Sequence, residues 1–358
     1  MTINNEVKDR VCGFKNQYRA LKKCCNGVMW KDSVARHSNN ALLSTLKIVR
    51  GTRNGTYKVS QGNTHTIYEP KKRIVVSTKF IDRAFQRSLC DNYLYEAITK
   101  TFIYDNCACQ TGKGTDFARE RLIAHMQRFY RKHGTDGYVL VCDIKNYFGS
   151  TPHSTVKTAV KRNVANQWAY DHVASIVDSY NQGENPKVGL GLGSQITQLV
   201  QLLVLDKLDH YIKEELRIKH YVRYMDDFIL IHHDKCYLAE CRKKIDKKIR
   251  ELGLLPSPKK TQLFPVVQSI KFLGFKFVLT ETGKVLMLLS RDNIKKRKRK
   301  IRKDKKLVLE GRMTRETADN KYRSWRDGHA KKGNSYKMLR GMDEYYKKTW
   351  DDIEGSVA

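Results

Sequence analysis

Proline is scarce in this sequence, with 6 among 358 residues, and no proline- or serine-rich stretch marks a linker. There are no internal repeats. Acidic residues are also few: 37 Asp and Glu stand against 69 Lys and Arg. The nine cysteines lack zinc-site spacing, since Cys24 and Cys25 are adjacent and Cys107 and Cys109 flank a single residue. An odd set of thiols without a framework fits a reducing, cytoplasmic compartment rather than a disulfide scaffold. Met1–Arg10 is too polar for a secretion signal. Val188–Leu205 carries no charge, yet it holds Ser194, Gln195, Thr197, Gln198 and Gln201 and opens with three glycines. That composition fits a loop and a buried helix, not a membrane span, and no membrane partner is expected.

What is abundant is positive charge. The formal net charge is +32. Such a chain repels itself unless a polyanion is close, so the expected partner is a nucleic acid, bound largely through its phosphates. Residues 281–350 hold 23 Lys and Arg against 9 Asp and Glu. The densest run is Lys295, Lys296, Arg297, Lys298, Arg299 and Lys300. Ile294 and Ile301, seven apart, with Leu307 and Leu309 beyond, predict a basic helix with an apolar seam.

The length suits two or three compact units. Residues 1–60 read as helical, with Ala41, Leu42, Leu43, Leu46, Ile48 and Val49 as an apolar stripe ending near Gly51. Thr66–Val76 reads as two strands around a basic turn. Helices follow over 80–133, broken by the polar loop Gln110–Thr115. Tyr138–Cys142 is a short buried strand, and helical patterning returns over 153–180. Ser194 is placed to N-cap a helix running to about Leu216. Strands His220–Met225 and Phe228–His232 enclose a turn at Asp226-Asp227. A helix over 237–252 precedes Lys271–Phe277, and the end from 291 is helical. The few strands lie mid-chain among helices, so the class is α+β.

Two adjacent carboxylates at a tight turn repel each other, and this turn lacks the glycine that hairpins prefer. Bound Mg²⁺, a hard cation that takes oxygen ligands, would neutralise them. A two-metal site needs a further carboxylate. Asp143 supplies it, ending an apolar strand 83 residues earlier and followed by Ile144, Lys145, Asn146, Tyr147 and Phe148. Two ions about 4 Å apart would activate a hydroxyl and stabilise a leaving pyrophosphate.

The segment Asp143–Phe148 and the run Tyr224-Met225-Asp226-Asp227 resemble motifs A and C of the reverse transcriptases, and the likeness extends from about residue 40 to 345. The resemblance implies an RNA-directed DNA polymerase with a right-hand architecture. In it, 1–60 is an N-terminal helical segment and 61–135 the fingers. The palm covers 136–280, with an RRM-like antiparallel sheet and helices over 150–187. A basic helical thumb covers 281–350, and 351–358 is a tail. Asp143, Asp226 and Asp227, with the Ile144 carbonyl, would hold two Mg²⁺ ions, with Mn²⁺ as a substitute. Glu69-Pro70-Lys71-Lys72-Arg73 resembles the fingers segment that grips the incoming triphosphate, through Arg73 first and Lys71 second. Gly193-Ser194-Gln195 resembles motif B, which lies against the new base pair. Lys260 stands where the family places a lysine able to protonate pyrophosphate. Phe272, Leu273 and Gly274 resemble the primer grip. Phe148 occupies the steric-gate position, which implies preference for dNTPs over ribonucleotides. Lys295, Lys296, Arg297, Lys298 and Arg299 would track the backbone of a template RNA/cDNA duplex. About 80 residues after the primer grip are too few for a thumb plus a nuclease domain.

Ser194-Gln195, Tyr221–Phe228 and Ser324-Trp325-Arg326-Asp327-Gly328-His329 resemble the diversity-generating retroelement branch, although Leu190 stands where that branch has glycine. That branch implies a template-repeat RNA and a small basic accessory protein. A bacterial anti-phage defence enzyme, copying or extending a dedicated non-coding RNA by untemplated or protein-primed synthesis, is the alternative. Other palm polymerases and an idle RNA-binding scaffold are the remaining readings. The three carboxylates oppose the scaffold, and Phe148 opposes ribonucleotide synthesis.

Overall fold

The structure is a computed structural model that describes residues 2–68, 73–180, 187–191 and 193–354. Four helices lead: α1 (Thr2–Cys12), α2 (Phe14–Cys25), α3 (Asp32–Asn39) and α4 (Ala41–Arg53). The hairpin β1 (Asn63–Ile67) and β2 (Arg73–Ser77) follows, then α5 (Phe80–Leu89), a π-helical turn, α6 (Tyr95–Thr99) and α7 (Thr115–His133). Next come β3 (Tyr138–Cys142), the short α8 (Tyr147–Ser150), α9 (His153–Asn163) and α10 (Gln167–Asp178). α11 (Gln195–Val204) and α12 (Asp206–His210) lead into β4 (His220–Tyr224) and β5 (Asp227–His232). After α13 (Lys235–Glu251) come β6 (Gln262–Pro265), β7 (Ile270–Phe272), β8 (Phe275–Leu279) and β9 (Val285–Leu289). The chain ends with α14 (Arg291–Leu309), α15 (Arg315–Gly328) and α16 (Tyr336–Glu354). The expected α+β class is what the structure has.

The central element is a four-stranded antiparallel sheet in the order β4-β5-β3-β6. Successive side chains on a strand point to opposite faces, and here both faces are buried. Leu140, Cys142, Tyr221, Phe228 and Leu230 join Leu238, Cys241 and Ile245 of α13 in one core. Val139, Val222, Ile229 and Ile231 join Leu122, Met126 and Phe129 of α7 in the other. The strands therefore read as apolar runs with little visible alternation. The second core continues into a three-stranded sheet, β7-β8-β9. A third, small cluster of Ile301, Tyr322 and Met342 holds the C-terminal helices together.

Four expectations are corrected. In α4 the buried face is Ala41, Ser44, Thr45, Ile48, Val49 and Thr52, while Leu42, Leu43 and Leu46 are exposed. The burial period of the helix, and not the apolar residues themselves, sets that face. The helix expected to run from Ser194 to about Leu216 is broken at Leu205. β9 falls in a stretch expected to be helical, because Val285–Leu289 completes the second sheet. Leu309 is exposed, so the apolar seam of α14 rests mainly on Ile294 and Ile301.

Candidate active site at the end of the central sheet

β3 and β5 run side by side, and their last ladder pair is Cys142 with Phe228. One residue further along each strand stand Asp143 and Asp227. Both continue the side-chain alternation of Val141 and Ile229, so they share one face. The β4–β5 ladder closes on Tyr224 opposite Asp227. The hairpin loop is therefore Met225-Asp226, with Asp227 already in strand. This corrects the expected turn at Asp226-Asp227. Met225, first in the two-residue loop, has φ +57°, where such hairpins usually place glycine. A side chain held in that region costs of order 1–3 kcal/mol, a strain typical of functional turns.

Asp143 is pinned from behind. The Ser257 amide donates to its carbonyl at 2.8 Å, Lys145 N–H donates to Leu255 O at 2.8 Å, and Ile144 bridges Pro256. The Asp143 side chain is buried, and Lys260 Nζ donates to its Oδ2 at 2.5 Å. Burial, the Asp226 charge and the contact with Asp143 push the Asp227 carboxyl up to about 7, with Lys260 opposing. Crowded carboxylates behave this way because neither can ionise beside the other without a compensating cation. In the structure Lys260 is the cation nearest Asp143. No group of three His, Cys, Asp or Glu among the described residues is arranged as a metal cage. The donor set, acceptor oxygens crowded at one end of a sheet, nonetheless suits a hard divalent ion. Asp143, Asp227, Lys259, Lys260 and Lys271 line a cavity of about 390 Å³. Carboxylate oxygens and ammonium groups therefore line the same cavity.

The other expected residues fall as follows. After Asn146, at φ +49°, the chain enters α8. Gly149 leaves room there for the Asn146 side chain, whose amide would lie 2.5 Å from a Cβ. Phe148 is half-buried, its ring 5.8 Å from that of Tyr147 and partly packed on the core. Gln195 opens α11, its Oε1 buried without a hydrogen-bond partner among the described residues. It lines a second cavity of about 370 Å³ with Arg87, Tyr95, Cys109, Gly193 and Gln198. Ser194 sits at the N-cap position but makes no capping bond; its hydroxyl donates to Gln86 Oε1 at 2.5 Å.

Leu273 and Gly274 form the β7–β8 turn, both at positive φ. Arg119 donates to the Leu273 carbonyl at 2.9 Å, and Asn293 holds that of Gly274 at 2.6 Å. Phe272 is buried in the core beneath that turn. In α14, Lys295, Lys296 and Arg299 are exposed. Arg297 instead donates to Lys321 O at 2.6 Å and lies over the Tyr322 and Trp325 rings. Lys298 lies over Tyr345. Arg73 is the first residue of β2 and pairs with Ile67. Lys71 lies outside the described residues.

One set of residues has a role that the sequence motifs do not assign. Arg223, fully buried on the opposite face of the sheet from Asp227, donates to Asp209 at 2.7 and 2.5 Å, to Leu202 O at 3.1 Å and to Met225 O at 3.0 Å. Tyr221 donates to the same Asp209 at 2.6 Å. The signal was present: a charge inside a strand whose faces are both apolar demands a buried partner.

The central sheet and its flanking helices form a polymerase palm. Residues 64–277, well over half of the chain, match the family described as "Reverse transcriptase (RNA-dependent DNA polymerase)". The chain belongs to the reverse transcriptase family. Among solved structures it is similar to telomerase from Candida albicans in complex with a TWJ fragment of telomeric RNA. That match has a TM-score of 0.50 and 12% identity over 66% of this chain and 46% of that one. Apo telomerase from Candida tropicalis, truncated from its C-terminal domain, matches at a TM-score of 0.48 and 12% identity, over 69% and 60% of the two chains. At such identity the likeness is one of fold. The chain spans about half the length of the telomerase chains it matches, between 46% and 60%. No curated protein matches it.

Proposed function

We propose that the chain is an RNA-directed DNA polymerase whose reaction centre is the end of β3 and β5. The observation that carries this is the register that brings Asp143 and Asp227 onto one face, with Asp226 beside them in the hairpin loop. Asp143, Asp226 and Asp227, with the Ile144 carbonyl, would hold two Mg²⁺ ions, or Mn²⁺ in their place. When bound, the ions supply charge neutralisation and a more acidic primer hydroxyl. The chain's own groups do the rest. Lys71 and Arg73 bind the triphosphate, and Phe148 excludes a ribose 2′-hydroxyl. Gln195 meets the new base pair, and Lys260 carries a proton to the leaving pyrophosphate. Phe272, Leu273 and Gly274 support the primer end. The exposed cations of α14 hold the RNA/cDNA duplex.

The test is extension of a DNA primer on an RNA template with dNTPs and Mg²⁺ or Mn²⁺. The wild-type chain should extend it, and Asp226→Ala should lose about 10²–10³-fold in rate, as removal of a transition-state charge partner does. Equal extension by both would refute the site.

The finer reading is that the enzyme serves a diversity-generating retroelement. Its support is the likeness of Ser194-Gln195, Tyr221–Phe228 and Ser324–His329 to that branch. In that role it copies a template-repeat RNA, with errors at adenines, beside a small accessory protein. Sequencing the cDNA tests this. Errors concentrated at template adenines are expected. Faithful copies, or untemplated extension of a non-coding RNA, would favour a defence role instead.

A further inference from the structure

Among the buried charged residues described, Arg223 has surroundings that exceed what a strand needs. β4 is tied to β5 by its backbone ladder. The Arg223 main chain is also bound on its other side, accepting from Cys107 N–H at 2.9 Å and donating to Asp105 O at 3.0 Å. Its guanidinium adds four further bonds, two to Asp209 and one each to the carbonyls of Leu202 and Met225. The bidentate pair with Asp209 fixes the plane of the fork. The remaining donors are then aimed by that plane.

Each carbonyl it reaches is special. Met225 is the residue at φ +57° in the loop that carries Asp226. Its peptide orientation decides where the next residue's side chain points. Leu202 belongs to the last turn of α11, where carbonyls lack helical partners. The helical ladder ends at Leu205, whose amide turns back to Leu203. The neighbouring carbonyl, Gln201 O, accepts from Tyr147 OH at 2.6 Å, and Tyr147 directly precedes Phe148. One buried helix end therefore anchors both the hairpin and the segment bearing Phe148.

We propose that Arg223, seated on Asp209, is a positioning residue that fixes the Met225 peptide and so the aim of Asp226 toward the metal-binding face. This rests on the polymerase reading above. It assigns Arg223 and Asp209 no contact with substrate. Outer groups of this kind typically change metal affinity about 10–100-fold when removed.

The experiment must separate aim from stability, because a lone buried Asp209 would itself destabilise the fold. In the full chain, Arg223→Met is compared with the triple variant Arg223→Met, Asp209→Leu, Tyr221→Phe, which removes the whole buried polar set. Three quantities are read: the melting temperature, Mn²⁺ binding by electron paramagnetic resonance without nucleotide, and primer extension against metal concentration. The single variant should melt lower and the triple variant should regain most of that loss. Both should bind Mn²⁺ at least about tenfold more weakly, and need correspondingly more metal for half-maximal extension. A triple variant that recovers wild-type Mn²⁺ affinity along with its melting temperature overturns the proposal, since Arg223 would then be structural only. Asp226→Asn is measured in parallel. If it extends primers like the wild type, the polymerase site is wrong and the positioning role falls with it. If it is inactive while the triple variant behaves like the wild type, only the positioning role falls.

Discussion

The carboxyls of Asp143 and Asp227 lie within hydrogen-bonding reach of each other, one residue beyond the last ladder pair of β3 and β5. Burial first, then the Asp226 charge and the contact with Asp143, raise the Asp227 carboxyl to about 7. In the unfolded chain it returns to about 3.9. Between those values the native state holds a proton that the unfolded state has released. Stability from this group is therefore greatest at low pH, falls as pH rises from about 4 to 7, and stays low above. Asp227→Asn removes that penalty. In chelator, the variant should melt higher than the wild type at pH 8, with the gap closing at pH 4. Mg²⁺ at pH 8 should raise the melting temperature of the wild type, because it binds the native state alone, and that of the variant much less. A gap of the same size at both pH values would show that the Asp227 carboxyl is not raised in the native state.

In the proposed reaction Lys260 would have two tasks that pull in opposite directions. Its ammonium is bound to Asp143 at 2.5 Å. Burial lowers its pKa, but the Asp143 hydrogen bond and charge, with Asp227 and Asp226, prevail and raise it. A lysine held this way is a poor acid until another cation takes its place among the carboxylates. Lys260→Gln should therefore tighten Mn²⁺ binding a few-fold by removing a competitor. It should lower kcat about 10²-fold or more by removing a proton donor, with the dNTP KM little changed. Single-turnover extension and metal titration of one preparation read both. Weaker metal binding together with an unchanged kcat would contradict both tasks.

The parts of this site that lie along one strand were legible in the sequence; those that meet across the fold were not. Tyr138–Cys142 ending at Asp143, and the hairpin bearing Asp226 and Asp227, show as apolar runs closed by carboxylates. Their mutual register depends on β5 sitting between β4 and β3, which no local pattern encodes. The pairing of Lys260 with Asp143 spans 117 residues. The Asp209–Arg223 pair spans 14 residues and a change from helix to strand. Leu42, Leu43 and Leu46 are exposed for a related reason: apolar character alone does not mark the buried face, and Ser44, Thr45 and Thr52 are buried in their place. Thr45 and Thr52 can be buried because their hydroxyls bond back to Ala41 O and Ile48 O.

Phe148 is both core and surface. One part of its ring packs on the core beside Tyr147, and its carbonyl accepts from Leu190 N–H at 2.8 Å. The ring is thus packed along one edge while the backbone that carries it is tied to Leu190. Phe148→Ala should raise the kcat/KM for ribonucleotides relative to deoxynucleotides about 10–100-fold, the scale of a steric contact worth a few kcal/mol. It should also lower the melting temperature, since packing is lost. Competition between one rNTP and its dNTP on an RNA template measures the ratio. If the melting temperature falls and the ratio stays fixed, Phe148 is a core residue and sugar choice lies elsewhere.

The basic run of α14 divides by direction. Lys295, Lys296 and Arg299 point to solvent. Arg297 is bound to Lys321 O and covers Tyr322 and Trp325, within the contacts that join α14 to α15. A solvent-facing cation that meets a phosphate releases a counterion when it binds, so each contributes about 0.7–0.9 to the slope of log affinity against log salt. A cation buried between helices contributes none. Changing Lys295, Lys296 and Arg299 together to Gln should therefore reduce the slope for an RNA/DNA duplex by about 2–3, with little change in melting temperature. Arg297→Ala should do the reverse, lowering the melting temperature by removing a hydrogen bond and two ring contacts while leaving the slope within about 0.5 of the wild type. Duplex binding measured from low to moderate salt, beside thermal melts of the same variants, separates the two roles. A loss of slope on Arg297→Ala as large as that for one exposed cation would mean that its guanidinium leaves the helical interface to bind phosphate.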